Sequence, residues 1–192
     1  CMACAVAPAA AKVKADVRLQ RGLAGLAHKD PQVRKNAAAA LGRLRDPGAV
    51  PALIRCLNDK DSEVSSCCMR TLGVLKAKEA VGPLAALMSL SNAHRKASAL
   101  SALGGIGSAP AYAAVAKELE DLRTKRAKGL RLDQPLLVEE EALRALGSAG
   151  LPEALPLVRQ GLDSPDDRIR AVSCRWWYCA RRAPCSSSHA VI

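Results

Sequence analysis

The stretch DPQVRKNAAAALGRLR, residues 30–45, decides the fold of this chain. Asp30 followed by Pro31 is a helix-start signal. Apolar residues then recur at intervals of three or four: Val33, Ala37, Leu41 and Leu44. That spacing puts them on one stripe of an α-helix, so the stretch predicts an amphipathic helix whose stripe faces a core.

The same stripe returns twice along the chain with a period of 31 residues. Its later members are Val64, Cys68, Leu72 and Leu75, then Arg95, Ala99, Leu103 and Ile106. A second stripe with the same period starts at Val50 and continues from Val81 and Tyr112. A unit of two short helices cannot bury its apolar face alone, so successive units must stack. The sequence therefore predicts an all-α fold, a right-handed superhelix of about four to five helix pairs.

Glycine also follows the period, at Gly42, Gly73 and Gly104. Glycine late in a helix costs about 0.5–1 kcal/mol relative to alanine. Its recurrence at one place in each unit predicts that a neighbouring backbone approaches closely there. Asp30, Asp61 and Asn92 recur just before the first helix of each unit, where helix-capping side chains are favoured.

The period divides the chain into three segments, the second of which contains an insertion. Residues 1–18 are an N-terminal extension running into the first helix, and residues 19–172 are the repeats. Gly104 and Gly147 are 43 residues apart, which indicates 12 extra residues, placed at 122–134 and expected to form a loop. Residues 173–192 are expected to be an irregular tail rich in Cys and Arg. Its aromatics, Trp176 to Tyr178, could be exposed anchors, a cap on the last repeat, or part of an out-of-frame sequence.

The repeated sequence motifs resemble those of the HEAT repeat, in particular the short HEAT-like repeats of bilin lyases. The motifs D-x-x-V-R, A-x-x-A-L-G and A-V-x-x-L recur in order across roughly residues 19–172. The resemblance implies that the Asp and Arg of the first motif tie neighbouring repeats together. Carried onto this chain, the structural pairs are Asp30 with Arg34 and Asp166 with Arg170. Ser65, Lys96 and Glu139 hold the Arg position in the other units, which leaves any such ladder incomplete.

The net charge of +11 is partly a property of the chain ends. Five of these excess positive charges lie in residues 1–18 and 173–192, so the repeats are only mildly basic. The insertion nevertheless places five cations within nine residues: Arg123, Lys125, Arg126, Lys128 and Arg131. Insertions in solenoids often lie on the binding face, so these cations are candidate contacts with a partner. Arg55 and Lys117, which occupy the same position of the period two repeats apart, are the other candidates. The alternative is a solvated loop that the acidic run 139–141, placed at a helix start, simply neutralises.

Enzymatic and metal-binding alternatives find little support in the residues. A di-iron hydroxylase needs His-Glu pairs, and the three His are followed by Lys29, Arg95 and Ala190. The set Cys174, Cys179, Cys185 and His189 lacks the close cysteine pair typical of zinc sites. Nothing beyond the repeat phrasing points to a bilin. We therefore expect no metal and no cofactor.

The predicted function is a non-enzymatic scaffold that docks a protein partner with an acidic surface. Two alternatives remain: a subunit or relative of a bilin lyase-type enzyme, and a nucleic-acid-binding scaffold that uses the basic insertion. Aromatics make up only 2% of the chain, which disfavours base stacking. No apolar run is long enough to span a membrane, and no disulfide framework is evident among the eight Cys. An intracellular, cytoplasmic protein is expected, with organelle targeting as the alternative.

Overall fold

The computed structural model describes residues 6–89, 92–132, 134–149 and 154–182, and within these ranges it describes the side chains of residues 16–148 and 154–178. These residues form helices and connecting turns without a strand. The α-helices are α1 (Val6–Leu26), α2 (Pro31–Leu44), α3 (Val50–Arg55), α4 (Ser62–Val74), α5 (Val81–Leu87), α6 (Ala93–Ile106), α7 (Ala109–Ala127), α8 (Pro135–Ala149), α9 (Leu155–Gln160) and α10 (Asp167–Arg182). The predicted all-α solenoid is confirmed.

The helices stack in the order that the period predicts. The first helices of successive units pack side by side, α2 on α4, α4 on α6, α6 on α8 and α8 on α10. The second helices, α3, α5, α7 and α9, form the other layer, and α1 is the half-unit that precedes them. One leucine per unit lies in the centre of the core with at most 1% of its surface exposed: Leu41, Leu72, Leu103 and Leu146. Burial of these repeated leucines is the main force that holds the layers together.

The helix starts follow from capping side chains. The Asp30 carboxylate accepts a hydrogen bond from the backbone N–H of Gln32 at 2.8 Å. Asp61 does the same for Glu63 at 2.9 Å, and Asn92 accepts from the N–H of Arg95 at 3.0 Å. Each side chain satisfies a backbone donor that has no partner within its helix, as predicted.

The recurring glycines lie where first helices cross. A Cβ atom at Gly73 would lie 3.1 Å from the carbonyl oxygen of Ala102, and one at Gly104 would lie 2.8 Å from the Cα of Ala145. In the next crossing, Gly147 lies against the side chain of Trp176. The predicted close approach of a neighbouring backbone is therefore present at Gly73 and Gly104. At Gly42 the neighbour is instead the side chain of Thr71.

The insertion is not the loop that the sequence predicted. Helix α7 continues through it to Ala127, and the chain turns only at Gly129, which has a φ of 69°. The helix continues because Leu119 and Leu122 remain buried and extend the apolar stripe beyond the regular repeat. Residues 122–127 are therefore part of a long second helix.

The expected irregular tail is likewise helical as far as Arg182, at the end of α10. Ile169 is fully buried and Trp176 packs against the core, where it contacts Gly147. This arrangement corresponds to the cap alternative, since the tryptophan covers the last first-helix crossing. The side chain of Cys179, together with Cys185 and His189 of the weak zinc motif, lies outside the described residues, as do residues 1–5.

Candidate functional site

The layer of second helices carries two of the predicted partner contacts. Arg55 ends α3 and Lys117 lies in the middle of α7, and both side chains are exposed. Helix α5 lies between α3 and α7 in the sequence of second helices, and its exposed residues are small, such as Gly82 and Ala86. The two cations therefore lie on α3 and α7, on either side of α5, whose exposed residues are small.

Two of the insertion cations are bound inside the protein. Arg123 Nε lies 3.0 Å from Glu139 Oε1, and Arg126 Nη1 donates to Glu139 Oε2. The Glu139 side chain is 4% exposed, so both guanidinium groups neutralise a buried carboxylate. Arg123 also donates to Gln160 Oε1 at 2.7 Å. These bonds join α7, α8 and α9 into one cluster.

The other three insertion cations are more accessible. Lys125 pairs with Asp121 of its own helix at 3.4 Å, and both side chains are about half exposed. Lys128 and Arg131 are exposed beyond the end of α7. The five cations therefore do not form one basic surface, because Arg123 and Arg126 point inward.

Glu139 lies at the position of the repeat that Arg34, Ser65 and Lys96 occupy in the other units. At this position each side chain bonds to a neighbouring segment, and we call this contact the tie. In that position Arg34 holds Asp59 through two bonds of 2.7 and 2.8 Å, and Lys96 holds Glu118 at 2.8 Å. The hydroxyl of Ser65 donates to the carbonyl of Leu57 at 2.7 Å. Each unit thus makes a polar contact there, although the residue type and the charge differ.

The pairing implied by the HEAT resemblance differs in detail. Arg34 reaches Asp59 rather than Asp30, because Asp30 is committed to capping α2. Asp166 caps α10 in the same manner, accepting from the N–H of Arg168 at 2.9 Å. Arg170 instead donates to the carbonyl of Ser164 at 2.6 Å and to Asp167. The motif Asp therefore starts the helix, while the motif Arg makes the tie.

The Arg34–Asp59 tie should make stability depend on pH. The hydrogen bonds from Arg34 hold the pKa of the Asp59 carboxyl below its ordinary value of 3.8, against a smaller opposing effect of burial. A carboxyl whose pKa is lower in the folded state stabilises the fold above its unfolded pKa, and this contribution disappears as the pH falls through the folded pKa. We expect urea midpoints to fall between pH 5 and pH 3 by less in Asp59→Asn and Arg34→Gln than in the parent. Equal slopes in all three proteins would contradict this role of the pair.

Two separate pockets lie along α7 and α9, and we call them together the α7–α9 groove. Its apolar half has a volume of about 410 Å³ and is lined by Ala109, Tyr112, Ala113, Ala116, Leu146 and Leu157. Burial raises the pKa of the Tyr112 phenol, so its hydroxyl stays protonated at neutral pH. Its polar half, about 400 Å³, is lined by Arg123, Arg126, Glu139, Gln160 and Ser164.

Leu157 lies beside both pockets. It lines the apolar pocket, and its carbonyl accepts a hydrogen bond at 3.4 Å from Arg123, which lines the polar pocket. The guanidinium groups of the polar pocket are paired with Glu139, so the apolar pocket is the part that suits an extended apolar molecule. In the described part of the chain no group of three or more His, Cys, Asp or Glu side chains is placed to hold a metal ion.

The sequence did not reveal this groove. Its apolar lining consists of alanines and leucines that have the same spacing as core residues, so periodicity alone cannot separate them from the core. The available signal was the crowding of small residues in α7, where Ala109, Ala113 and Ala116 leave space beside Leu157.

The fold is a solenoid of helix pairs, and a family model described as HEAT repeats matches residues 20–104. The phycocyanobilin lyase subunit alpha of Nostoc sp. (strain PCC 7120) is 29% identical over 154 residues, which cover 79% of this chain and 44% of that protein. The protein of the same name from Synechococcus elongatus is 43% identical over 56 residues, 29% of this chain and 20% of the relative. The repeats are therefore similar to those of bilin lyase subunits. The chain spans less than half the length of these curated relatives.

A solved structure, the complex of CpcE and CpcF of phycocyanin lyase from Nostoc sp. PCC 7120, is also similar. The match has 26% identity and a TM-score of 0.66, and it covers 86% of this chain and 66% of that chain. These relatives overturn the predicted non-enzymatic scaffold, since the curated relative that matches 79% of the chain is a lyase subunit. The bilin-lyase alternative agrees better with them. None of the described helices is long and apolar enough to cross a membrane.

Proposed function

We propose that this chain is part of a subunit of a bilin lyase-type enzyme that acts together with a second protein subunit. The observation that carries the proposal is the match to a phycocyanobilin lyase subunit over 79% of the chain. The structural match to a lyase component within a two-protein complex supports the second subunit.

The α7–α9 groove is the proposed contact with the bilin. A bilin is an open-chain tetrapyrrole, with an extended conjugated body and two propionate carboxylates. The apolar half of the groove offers Tyr112 and Leu157 to the pyrrole rings. Lys117 lies one helical turn beyond Ala113 and is exposed, so it is the proposed partner of a propionate.

The groove is open, so a bilin held there would remain accessible to a second protein. The exposed cations outside the groove are the proposed contacts with that protein: Arg55, Lys125, Lys128 and Arg131. Exposed cations attract a partner with an acidic surface and raise its rate of association more than its affinity. Their distribution over α3 and the end of α7 would favour an extended contact.

The test is the absorbance and circular dichroism of phycocyanobilin mixed with the chain, alone and with a second lyase subunit. Ala113→Trp fills the apolar half of the groove and should weaken binding at least about tenfold, which corresponds to about 1.4 kcal/mol. Ala86→Trp is the matched control, because Ala86 is an exposed alanine on the second helix α5 and lies outside the groove.

The outcomes separate the site from the function. Binding that Ala86→Trp preserves and Ala113→Trp weakens supports both. If neither variant changes binding, the bilin binds outside the groove. No spectral change in the parent chain, either alone or with the second subunit, would contradict the proposed function.

A further inference from the structure

A polar groove lies between α4 and α6, in the layer of first helices. It consists of two adjoining pockets of about 740 and 460 Å³, and Ser66 and Arg70 line both of them. We call it the α4–α6 groove. It shares no lining residue with the α7–α9 groove, so the two are separate surfaces of the molecule.

The sequence places small polar side chains along both walls of the α4–α6 groove. In α4, Ser62, Ser66 and Arg70 follow each other at intervals of four residues, and in α6, Ser98 and Ser101 lie one turn apart. Side chains at these spacings share one side of a helix. The Ser98 hydroxyl donates to the Ser66 hydroxyl at 3.3 Å, so the two polar stripes face each other across the groove.

Glycines keep one end of the groove open. A Cβ atom at Gly105 would lie 3.2 Å from the Cα of Gly73, so the backbones of α4 and α6 are close together there. Both glycines line the groove, next to the exposed Arg45 and Lys76. Because neither glycine has a side chain, the space beside these two cations is bounded by backbone and stays accessible.

The charged side chains around the groove are mostly cations. Five Lys or Arg residues line it, against one acid, Glu63, which pairs with a lysine. The five are Lys35, Arg45, Arg70, Lys76 and Arg95. Arg95 donates to the carbonyl of Leu57 at 2.6 Å, and Lys35 is the partner of Glu63. Within the described part of the chain, Arg45, Arg70 and Lys76 form no ion pair, so their charges are not neutralised.

We propose that the α4–α6 groove binds an extended acidic segment of a partner protein. Helix α4 borders the groove from residue 62 to residue 74, a length of about 18 Å at about 1.5 Å per residue. That length accommodates about five or six residues of an extended peptide, which rises about 3.3 Å per residue. Carboxylates along the peptide pair with Arg70, Arg45 and Lys76, while the serine hydroxyls donate to its oxygens.

The lining favours a peptide over a nucleic acid. Among the described residues that line the groove none is aromatic, so bases would find no stacking surface. The inference is also independent of the proposed bilin contact. None of the exposed cations assigned above to the second lyase subunit lines the α4–α6 groove.

The test measures the binding of fluorescein-labelled hexaglutamate to the full chain by fluorescence anisotropy, at about 0.15 M salt. We expect binding that labelled hexaglutamine does not show. Arg70→Glu should weaken it at least about tenfold, because it places a charge of the same sign beside the peptide. Ser101→Trp leaves the charge unchanged and fills the groove, so it should weaken binding at least about fivefold.

Each variant has a matched control in the layer of second helices. Arg159→Glu makes the same change of charge at an exposed arginine of α9, and Ala86→Trp adds the same indole at an exposed alanine of α5. Neither residue lines the α4–α6 groove. Each control should change the affinity by less than about twofold, because salt screens charges that lie far from the peptide.

The proposal is supported if both groove variants weaken binding and both controls leave it unchanged. It is overturned if the parent does not bind hexaglutamate, or if Ser101→Trp binds it as tightly as the parent. Equal losses in Arg70→Glu and Arg159→Glu would also overturn it, since the peptide would then respond to the net charge of the chain. Tighter binding of labelled hexauridylate that both groove variants weaken would assign the groove to RNA instead.

Discussion

Replacing Glu139 by glutamine is expected to lower the free energy of unfolding by about 2–4 kcal/mol. The Glu139 side chain is 4% exposed and accepts bonds from both Arg123 and Arg126. Removing its charge leaves two guanidinium groups facing each other without an anion. The expected loss lies below the full range for a buried pair because the two arginine side chains keep 22% and 33% of their surface exposed.

The matched control is Glu140→Gln, one residue further along α8. Glu140 pairs with Arg144 at 2.7 Å, but that arginine is half exposed, so the loss should be no more than about 0.5 kcal/mol. Urea denaturation at neutral pH measures both variants. A double variant with Arg126→Leu should recover part of the Glu139→Gln loss, since it removes one unpaired cation. Similar losses for the Glu139 and Glu140 variants would show that the cluster is not a structural tie.

This cluster also accounts for the shape of the insertion. Where other units place a cation or a hydroxyl in the tie position, this unit places a carboxylate, so its partners must be cations. The extension of α7 supplies them, one turn apart, as Arg123 and Arg126. The insertion is therefore helical because its cations complete the tie and its leucines complete the stripe.

The repeat could be predicted from the sequence because every unit of a solenoid packs against neighbours of the same kind. Leu72 and Leu103 face the same kind of neighbour as Leu41, so burial selects the same residue at each period. The glycine crossings and the capping residues are equally local and equally repeated. Each of these signals depends on residues within one unit or on its immediate neighbour.

The tie at Glu139 could not be predicted with the same certainty. The run at 139–141 suggested that acidic residues neutralise the insertion, but only Glu139 faces Arg123 and Arg126. Which glutamate pairs with the arginines depends on how far α7 continues. A run of basic residues is compatible with a loop as well as with a helix, so the sequence does not give that length. The groove was hidden for a related reason, since its alanines and leucines differ from core residues only in their exposure.

The predicted function was wrong for a different reason. The recurring residues of the repeats stabilise the helices and their stacking, so they do not indicate a catalytic or binding function. Arg34 and Asp30 illustrate this, since one ties helices and the other caps one. The resemblance to lyase subunits lies in the arrangement of whole repeats, and comparison over most of the chain was needed to weigh it.

Replacing Gly104 by alanine is expected to lower the free energy of unfolding by about 1–3 kcal/mol, although alanine favours helix by about 0.5–1 kcal/mol. A methyl group at Gly104 would lie 2.8 Å from both the Cα and the Cβ of Ala145. Because the obstacle includes backbone, α6 and α8 must move apart, and every contact along that crossing loosens. The effect should exceed that of Gly73→Ala, where the nearest atom is 3.1 Å away.

Gly82→Ala is the control, because a methyl group at that position on α5 meets nothing from another helix. This variant should be about as stable as the parent, since the gain in helix propensity is offset by Pro83, which disfavours helical backbone in the preceding residue. Thermal and urea unfolding should therefore rank the proteins with Gly104→Ala lowest, Gly73→Ala next, and Gly82→Ala level with the parent. A Gly104→Ala protein that is as stable as Gly82→Ala would mean that the crossing tolerates a methyl group. The recurring glycine would then need another explanation than the close packing of the first helices.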